Sequence, residues 1–359
     1  MSTAIETSRK FRSTPIVDPL PNGWEPQGKD HRDHGFEPLA AFQELREEHE
    51  NLRFALFSGG YDSLVAVHYA MERGEADAVL HANTLTAIPE NTEFVKQVCQ
   101  AYGWPLEIID SPKTLEQFCL TTNNGDPYGF PSGAAHTVAF RWFKERAFRI
   151  AAKQNPARKP DLITGVRQAE SERRMRTVSA EVQEVDRFIW KAPLWKKSDQ
   201  WMADYMVEHG LPRSIVVEVL DRSGDCFCGA FADRYEELDR LQNPWDETHL
   251  DHGKMVQCRK WFGVPRLATF EEALQDHHDW LMAVEEQVQE EIGTRDGYCF
   301  WGHFEDGSEA LRRVKAESDP CQVNLCEACS DGQGEPHWRE RRMERETNDS
   351  ETEEDSDGR

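Results

Sequence analysis

The stretch Leu52-Arg53-Phe54-Ala55-Leu56-Phe57-Ser58-Gly59-Gly60-Tyr61-Asp62-Ser63 decides the fold, because it joins a short apolar run to a helical pattern through two glycines. A glycine turn lets the backbone approach a ligand closely, and the N–H groups at the start of the following helix favour an anion. Ser58 and Ser63 add hydroxyl donors, and Asp62 can hold a magnesium ion that bridges phosphate oxygens. The stretch predicts a pyrophosphate-binding loop; a strand-to-helix turn without a ligand is the alternative.

Short apolar runs alternate with helical patterns on both sides of this loop. The pattern predicts strands at 53–57, 78–83, 106–110 and 161–165, and helices at 36–49, 62–73, 90–102, 114–119 and 134–153. Such alternation is typical of an α/β fold with a doubly wound parallel sheet, whose ligand crevice lies at the carboxyl ends of the strands. Ser58, Asn83 and Gly165 each follow a predicted strand, so we expect three separate segments to meet at that edge.

Composition along the chain predicts four parts. Residues 1–35 are an irregular arm, and residues 36–228 form the nucleotide-binding domain. This domain begins with the predicted helix 36–49, which has Leu39, Phe42 and Leu45 on one face. Residues 229–330 form a smaller helical domain with helices near 229–242, 246–262 and 270–292, and the charged residues 331–359 are a disordered acidic tail. The turn-rich loop 121–133 is either a substrate lid or a surface loop without a role.

The formal charge of −24 argues against direct strong binding of nucleic acid or of an anionic membrane, because both need clustered Lys and Arg. The 42 basic residues comprise 13 Lys and 29 Arg. Abundant carboxylates with little lysine are typical of proteins from salt-in halophiles such as haloarchaea and their viruses, in which molar salt screens the repulsion. An acidic protein from a GC-rich mesophile is the alternative.

The N-terminus is polar, and no apolar run is long enough to span a bilayer, so we expect a soluble, cytoplasmic protein. In such a protein, nine cysteines favour metal binding or catalysis over a disulfide framework.

Cations and a carboxylate are gathered in one loop after the strand predicted at 161–165. This loop contains Arg167, Glu170, Ser171, Arg173 and Arg174. Because guanidinium groups pair with phosphate or sulfate oxygens two at a time, the loop favours an anionic ligand, with a solvated charged turn as the alternative. His136 is a weak further candidate, since a lone histidine is more often structural.

Five ordered motifs between residues 50 and 232 carry a family resemblance. The loop at 58–63 resembles the Ser-Gly-Gly-x-Asp-Ser loop of the PP-loop ATP pyrophosphatases, and four further segments resemble motifs of the phosphoadenosine phosphosulfate (PAPS) reductase branch of that superfamily. These segments are Pro89-Glu90-Asn91-Thr92-Glu93-Phe94-Val95, Arg141-Trp142-Phe143-Lys144, Thr164 to Arg174, and Pro193-Leu194-Trp195 leading to Arg222-Ser223-Gly224-Asp225-Cys226-Phe227-Cys228.

The resemblance implies roles for individual residues. Ser58, Gly59, Gly60, Asp62 and Ser63 would bind an adenine nucleotide, together with Gly165, Arg167, Glu170 and Ser171. The residues implied to be catalytic are Asp62, Lys144, Arg167 and Arg173, of which Lys144, Arg167 and Arg173 would face the anionic end of the nucleotide.

Two departures from the family pattern affect this inference. The Asp-Thr-Gly motif of the family is replaced by Asn83-Thr84-Leu85-Thr86, which puts the adenosine or metal contacts of that loop in doubt. The reductases also carry a catalytic cysteine in a Glu-Cys-Gly-Leu-His-like tail, whereas no cysteine follows Cys329. We therefore expect that sulfonucleotide reduction by that mechanism does not occur here.

The cysteines predict a metal centre. Cys321, Cys326 and Cys329 form a C-x4-C-x2-C array, and Cys226 and Cys228 end the resemblance region. These five thiols are candidates for the four ligands of an iron–sulfur cluster or a tetrahedral zinc ion. Because members of the family carry a [4Fe–4S] cluster beside the nucleotide, the resemblance favours iron–sulfur, with zinc as the alternative.

The resulting hypothesis is an enzyme that binds ATP and Mg²⁺, cleaves between the α- and β-phosphates, and uses the adenylate in sulfur chemistry with the cluster. The alternatives are a PAPS or APS reductase that uses another thiol, an enzyme that inserts sulfur into the DNA backbone (phosphorothioation) or into tRNA, and a nucleotide-binding subunit without turnover. Protein partners in a sulfur-transfer or DNA-modification complex would have to bring any nucleic acid to this acidic surface.

Overall fold

The computed structural model describes residues 11–123, 126–127, 136–153, 159–169, 180–185, 187–227, 234–245 and 252–292. Its main element is a six-stranded sheet in the order β3-β2-β1-β6-β8-β7, in which only the pairing of β7 with β8 is antiparallel. The strands of this sheet are β1 (Phe54–Leu56), β2 (Ala78–Asn83), β3 (Leu106–Asp110), β6 (Asp161–Ile163), β7 (Val182–Val185) and β8 (Phe188–Lys191). A separate hairpin pairs β4 (Thr122–Asn123) with β5 (Asp126–Pro127).

Helices connect the parallel strands and continue beyond the sheet. They are α1 (Pro38–Glu48), α2 (Tyr61–Glu72), α3 (Pro89–Tyr102), α4 (Leu115–Cys119), α5 (His136–Phe140), a π-helix (Arg141–Glu145), α6 (Arg146–Lys153), α7 (Asp199–Glu208), α8 (Ile215–Leu220), α9 (Arg234–Gln242), α10 (His252–Phe262) and α11 (Val264–Ile292). A short 3-10 helix covers Arg32–His34. None of the described helices is long and apolar enough to cross a membrane.

Successive residues of a strand point to opposite faces of its sheet. Both faces of this sheet are covered, because neighbouring residues of β1 belong to two different hydrophobic cores. On β1, Ala55 joins the core beneath α2 and α3, whereas the neighbouring Phe54 packs in a second core with Phe42 of α1 and Phe148 of α6. This arrangement confirms the α/β class and the doubly wound sheet predicted from the sequence. The four predicted strands and the helices between them are found within a few residues of their expected limits.

Three details differ from the expectation. The β7–β8 hairpin was not predicted, because β7 is a polar edge strand whose Val182 and Val185 are 56% and 52% exposed and give no buried pattern. Leu39 of α1 is 46% exposed rather than on the buried face with Phe42. The last helix begins at Val264, six positions before the expected residue 270.

The C-terminal helices share a core with the part of the chain that contains the sheet. Phe262 and Phe270 belong to the same hydrophobic cluster as Ile88, Phe143 and Phe227. The domain boundary at 228 stays a prediction, and described residues on both sides of it belong to this cluster.

The N-terminal arm is fixed against the rest of the chain. Arg12 forms a bidentate ion pair with the buried Glu90 of α3, at 2.8 and 2.7 Å. Further along, Arg266 of α11 donates to the carbonyl oxygen of Leu20 at 2.6 Å, and the ring of Phe11 lies 4.9 Å from that of Trp280. The described part of the arm thus links α3 to α11.

Candidate functional site

The loop at 58–63 is closed by its own serines. The Ser58 backbone N–H donates to Ser63 Oγ at 3.3 Å, the two hydroxyl oxygens are 3.0 Å apart, and Ser63 Oγ donates to the carbonyl oxygen of Gly60 at 2.8 Å. Gly59 has φ +88°, a conformation that other residues rarely adopt. The loop then enters the twelve-residue helix α2, so that N–H groups and the positive end of the helix dipole lie at its mouth.

The segment 89–92, Pro-Glu-Asn-Thr, packs against this loop and holds its backbone. Asn91 Nδ2 donates to the carbonyl oxygen of Ser58 at 2.9 Å, and a Cβ on Gly59 would lie 2.2 Å from Asn91 Oδ1. The buried His81 on β2 connects the same two segments, because its Nδ1 is 2.7 Å from the carbonyl oxygen of Phe57 and its Nε2 is 3.1 Å from Thr92 Oγ1. Burial lowers the pKa of His81, so the ring is neutral and acts as a structural bridge.

Arg167 joins the loop after β6 to the start of α2. Its Nε and Nη2 each lie 2.9 Å from Asp62 Oδ1, and its Nη1 lies 2.8 Å from Asp199 Oδ1. Burial alone would lower the pKa of Arg167, but the bonds to Asp199 and Asp62 raise it above its ordinary value. Gly165 makes this approach possible, since a Cβ there would lie 2.5 Å from the backbone oxygen of Asp62.

Lys144 lies on the π-helix and points to the other side of the same loop. Its Nζ is 2.5 Å from Asp225 Oδ2, and Ser223 Oγ donates to Asp225 Oδ1 at 3.0 Å. Burial would raise the pKa of Asp225, but Lys144 and Ser223 lower it below the ordinary value. Ser223 in turn contacts the loop, because a Cβ on Gly60 would lie 2.9 Å from the Ser223 Cβ.

The segment 225–227 is held by the motif that departs from the family pattern. Thr84 Oγ1 donates to the carbonyl oxygen of Asp225 at 2.6 Å, and Thr86 Oγ1 accepts from the Phe227 backbone N–H at 3.2 Å. Thr86 Oγ1 also donates to the sulfur of the half-buried Cys226 at 3.5 Å. Both threonines are fully buried, so this loop fixes the cysteine segment rather than facing solvent.

The structure brings together the predicted residues that it describes: Ser58, Gly59, Gly60, Asp62, Ser63, Lys144, Gly165, Arg167 and Cys226. The other predicted site residues, Glu170, Ser171, Arg173, Cys228, Cys321, Cys326 and Cys329, lie outside the described residues, as does the side chain of His136. The described residues include no group of three or more His, Cys, Asp or Glu side chains that could hold a metal ion.

Sequence reasoning missed four supporting side chains, which are Asn91, Asp199, Ser223 and Asp225. Asp225 belongs to the segment Arg222-Ser223-Gly224-Asp225-Cys226-Phe227-Cys228 that carries the resemblance, so this motif was a usable signal. Asp199 gave none, because an aspartate in the first turn of a helix is ordinary.

The fold and the site define a class of protein, an α/β domain with a glycine loop between β1 and α2. Residues 53–219 match the model of the phosphoadenosine phosphosulfate reductase domain, so this segment of the chain is similar to that domain. Among solved structures, the phosphate complex of phosphoadenylyl-sulfate (PAPS) reductase from Candida auris is similar at 17% identity, covering 51% of this chain and 84% of that chain with a TM-score of 0.35. No curated protein sequence matches the chain.

Proposed function

We propose that the chain binds the phosphates of ATP at residues 58–63 and cleaves the bond between the α- and β-phosphates to form an adenylate for sulfur chemistry. The observation that carries this proposal is the juxtaposition of the loop with Asp62, Arg167 and Lys144. Loop amides, a carboxylate and two cations are the groups that a departing pyrophosphate requires.

The chemistry would be a displacement at the α-phosphorus. A nucleophilic oxygen of the acceptor attacks this phosphorus, the bond to the oxygen that bridges to the β-phosphorus breaks, and pyrophosphate leaves with the bonding electrons. The N–H groups of the loop and the cations of Arg167 and Lys144 stabilise the negative charge that develops on the leaving group. Because both cations are held by carboxylates before the nucleotide arrives, they are already oriented toward the loop.

The residues present fit a magnesium ion that is shared with the nucleotide. Mg²⁺ is usually bound by one or two carboxylates together with substrate phosphates, and Asp62 is the carboxylate at the loop, with its side chain 32% exposed. When bound, the ion would neutralise part of the negative charge of the phosphates. The ion would also offset negative charge, because the described ion pairs of Asp62, Asp199 and Asp225 involve Arg167 and Lys144.

A [4Fe–4S] cluster held by four of Cys226, Cys228, Cys321, Cys326 and Cys329 remains part of the proposal, with zinc as the alternative. Cys226 fits a ligand role in two respects. Its sulfur is half-buried, and Thr86 Oγ1 donates to it at 3.5 Å, as outer hydrogen bonds do for thiolate ligands. Lys144 and Asp225 lie next to it, so a cluster there would adjoin the nucleotide.

A second candidate is reduction of a sulfonucleotide, PAPS or APS, which the family match over residues 53–219 favours. In that reaction a thiolate attacks the sulfur of the sulfonate, and the nucleotide phosphate leaves with the electron pair of the broken S–O bond. The loop would then hold the phosphosulfate, and a cysteine of the C-terminal part would supply the thiolate. Sulfur insertion into DNA or tRNA would instead require the adenylation of the first proposal and partner proteins in the cytoplasm.

Product analysis separates these candidates. Purified protein is incubated with ATP and Mg²⁺, or with PAPS and a dithiol, and AMP, pyrophosphate, adenosine 3′,5′-bisphosphate and sulfite are measured. AMP and pyrophosphate in equal amounts would support adenylation. Adenosine 3′,5′-bisphosphate and sulfite from PAPS would instead show that the protein reduces a sulfonucleotide. Binding of ATP without any product, in the presence of candidate acceptors, would identify a nucleotide-binding subunit.

A further inference from the structure

A cation pair beside the candidate site has no role in the proposal above. Arg146 Cζ lies 3.0 Å from the ring centroid of Trp142, and Lys113 Nζ lies 4.3 Å from the same centroid. We call Lys113, Trp142 and Arg146 the tryptophan patch. Trp142 is only partly buried, so the patch reaches the surface.

The two cations differ from most cations whose contacts are described. Arg32, Arg53 and Arg73 each bind a carboxylate, as a chain with 66 acidic side chains would lead one to expect. Among the described residues, by contrast, no carboxylate forms an ion pair with Lys113 or Arg146. Lys113 donates only to the hydroxyl of Thr121, at 2.6 Å. The positive charge of the patch is therefore available to an external anion.

The electrostatics of Arg146 agree with this geometry. Burial lowers the pKa of Arg146, and among the described residues no carboxylate raises it. When one face of a guanidinium group lies on a ring, its N–H edge can still bind a phosphate. Its other face can stack with a base. Lys113 adds a point charge for a second phosphate oxygen.

The patch lies on the same edge of the sheet as the nucleotide loop. Ser111 follows the carboxyl end of β3, and its hydroxyl donates to the carbonyl oxygen of Trp142 at 3.5 Å. Trp142 stands on the π-helix, a rare element that is frequent at functional sites. Two residues further along the same π-helix, Lys144 binds Asp225 at the loop.

We infer that the tryptophan patch is a second phosphate-ester site, which binds a nucleotide unit other than the one held by residues 58–63. The N–H edge of Arg146 and the ammonium group of Lys113 contact the phosphate. The face of the Arg146 guanidinium group that is turned away from Trp142 contacts the base. The unit belongs either to a small nucleotide or to a nucleic-acid strand. The excess of carboxylates elsewhere restricts the attraction to this patch, so binding is weak and local.

The test uses fluorescein-labelled octathymidylate and measures its anisotropy with the full chain at low salt. We expect a Kd on the order of 100 µM and a slope of log K against log salt of about −1.4, the value for two phosphate contacts to a single strand. In Lys113→Gln/Arg146→Gln, affinity falls at least about tenfold while ATP binding is unchanged. Gly60→Val shows the reverse pattern, so failure of the ATP site and failure of this site are distinguishable.

Arg73→Gln is the matched control, because Arg73 also lies over a ring, that of Tyr69 at 4.7 Å, but is bound to Glu75. Its affinity for octathymidylate should equal that of the unaltered chain. Thymidine 3′,5′-bisphosphate is then added as a competitor. Displacement assigns the site to single nucleotides, and lack of displacement assigns it to a strand.

Two results would overturn the inference. One is undetectable binding of both probes by the unaltered chain, and the other is equal affinity of the double variant and the unaltered chain. If the double variant melts at a lower temperature, Lys113→Gln alone decides the question, since that side chain contacts only Thr121 and the Trp142 ring among described residues.

Discussion

Arg167 and Asp62 are 105 positions apart in the sequence, yet two nitrogens of the guanidinium group bind one oxygen of the carboxylate, each at 2.9 Å. The pair joins the loop after β6 to the first turn of α2. A nucleotide that enters this site must therefore compete with Asp62 for Arg167.

This competition predicts a strong dependence of ATP binding on Mg²⁺. Without the ion, the triphosphate would meet the carboxylates of Asp62, Asp199 and Asp225, so like-charge repulsion would oppose binding. We expect calorimetry to give an affinity at least about tenfold higher with Mg²⁺ than with EDTA. Equal affinities would contradict the role assigned to Asp62.

Gly60→Val and Asp62→Ala should both abolish ATP binding while the fold survives. The valine would collide with Ser223, since even a Cβ lies 2.9 Å from the Ser223 Cβ, and it would obstruct the phosphate path. Gly74→Ala is a useful control, because its Cβ meets nothing within 4 Å and the change costs about 1 kcal/mol through its positive φ alone. Unchanged ATP affinity in both loop variants, with circular dichroism confirming folding, would refute the phosphate-binding assignment.

Glu218 makes stability depend on pH. The side chain is 1% exposed, and burial raises its pKa from 4.5 to about 7, although Arg213 donates to one oxygen at 3.1 Å. Because the folded protein holds this proton more tightly than the unfolded chain, the stabilising contribution is present below pH 4.5 and is lost as the pH rises through about 7.

Glu218→Gln should remove this dependence. At pH 8 we expect the variant to be more stable by about 1 to 3 kcal/mol, and at pH 4.5 we expect little difference. Urea unfolding at both pH values measures the effect. A variant that is less stable at pH 8 would show that the pair with Arg213 outweighs the cost of burying the charge.

The cluster proposal predicts brown protein after anaerobic purification, with iron and acid-labile sulfide. Cys226→Ser, Cys228→Ser and Cys326→Ser should lose both. Cys99→Ala should keep them, because Cys99 is fully buried in the core and burial raises the pKa of its thiol. Colourless protein with stoichiometric zinc would indicate a structural site, and protein without metal would remove the centre altogether.

The charge of −24 predicts a response of stability to salt. If carboxylate repulsion limits stability, the melting temperature should rise between low and molar KCl as the charges are screened. Melting temperatures measured in sodium sulfate and in KCl at equal ionic strength separate screening from salting-out. Screening predicts equal melting temperatures in the two salts, whereas salting-out predicts a higher one in sulfate. A flat or falling melting temperature would favour the mesophilic alternative.

The predicted strands β1, β2, β3 and β6 could be recognised because each is a short, mainly apolar run, and β1 is buried on both faces at Phe54 and Ala55. The loop at 58–63 was predictable because its glycines and serines are local features. The pairs Lys144–Asp225 and Arg167–Asp199 were not, since a charged residue gives no sequence signal for its distant partner. The β7–β8 hairpin could not be predicted, because Val182 and Val185 are exposed to solvent and β7 has no alternation of buried and exposed residues.

The clamp between Arg12 and Glu90 has a consequence for the order of assembly during synthesis. Residues 11–20 leave the ribosome well before their partners Arg266 and Trp280, which follow about 250 residues later. Glu90, which the same arm holds, directly precedes Asn91 beneath the nucleotide loop. Long-range closure of this kind is slow, so the arm is held at both ends only after α11 has been translated, and a nascent chain that stalls before α11 would carry the loop at 58–63 without the completely fixed arm.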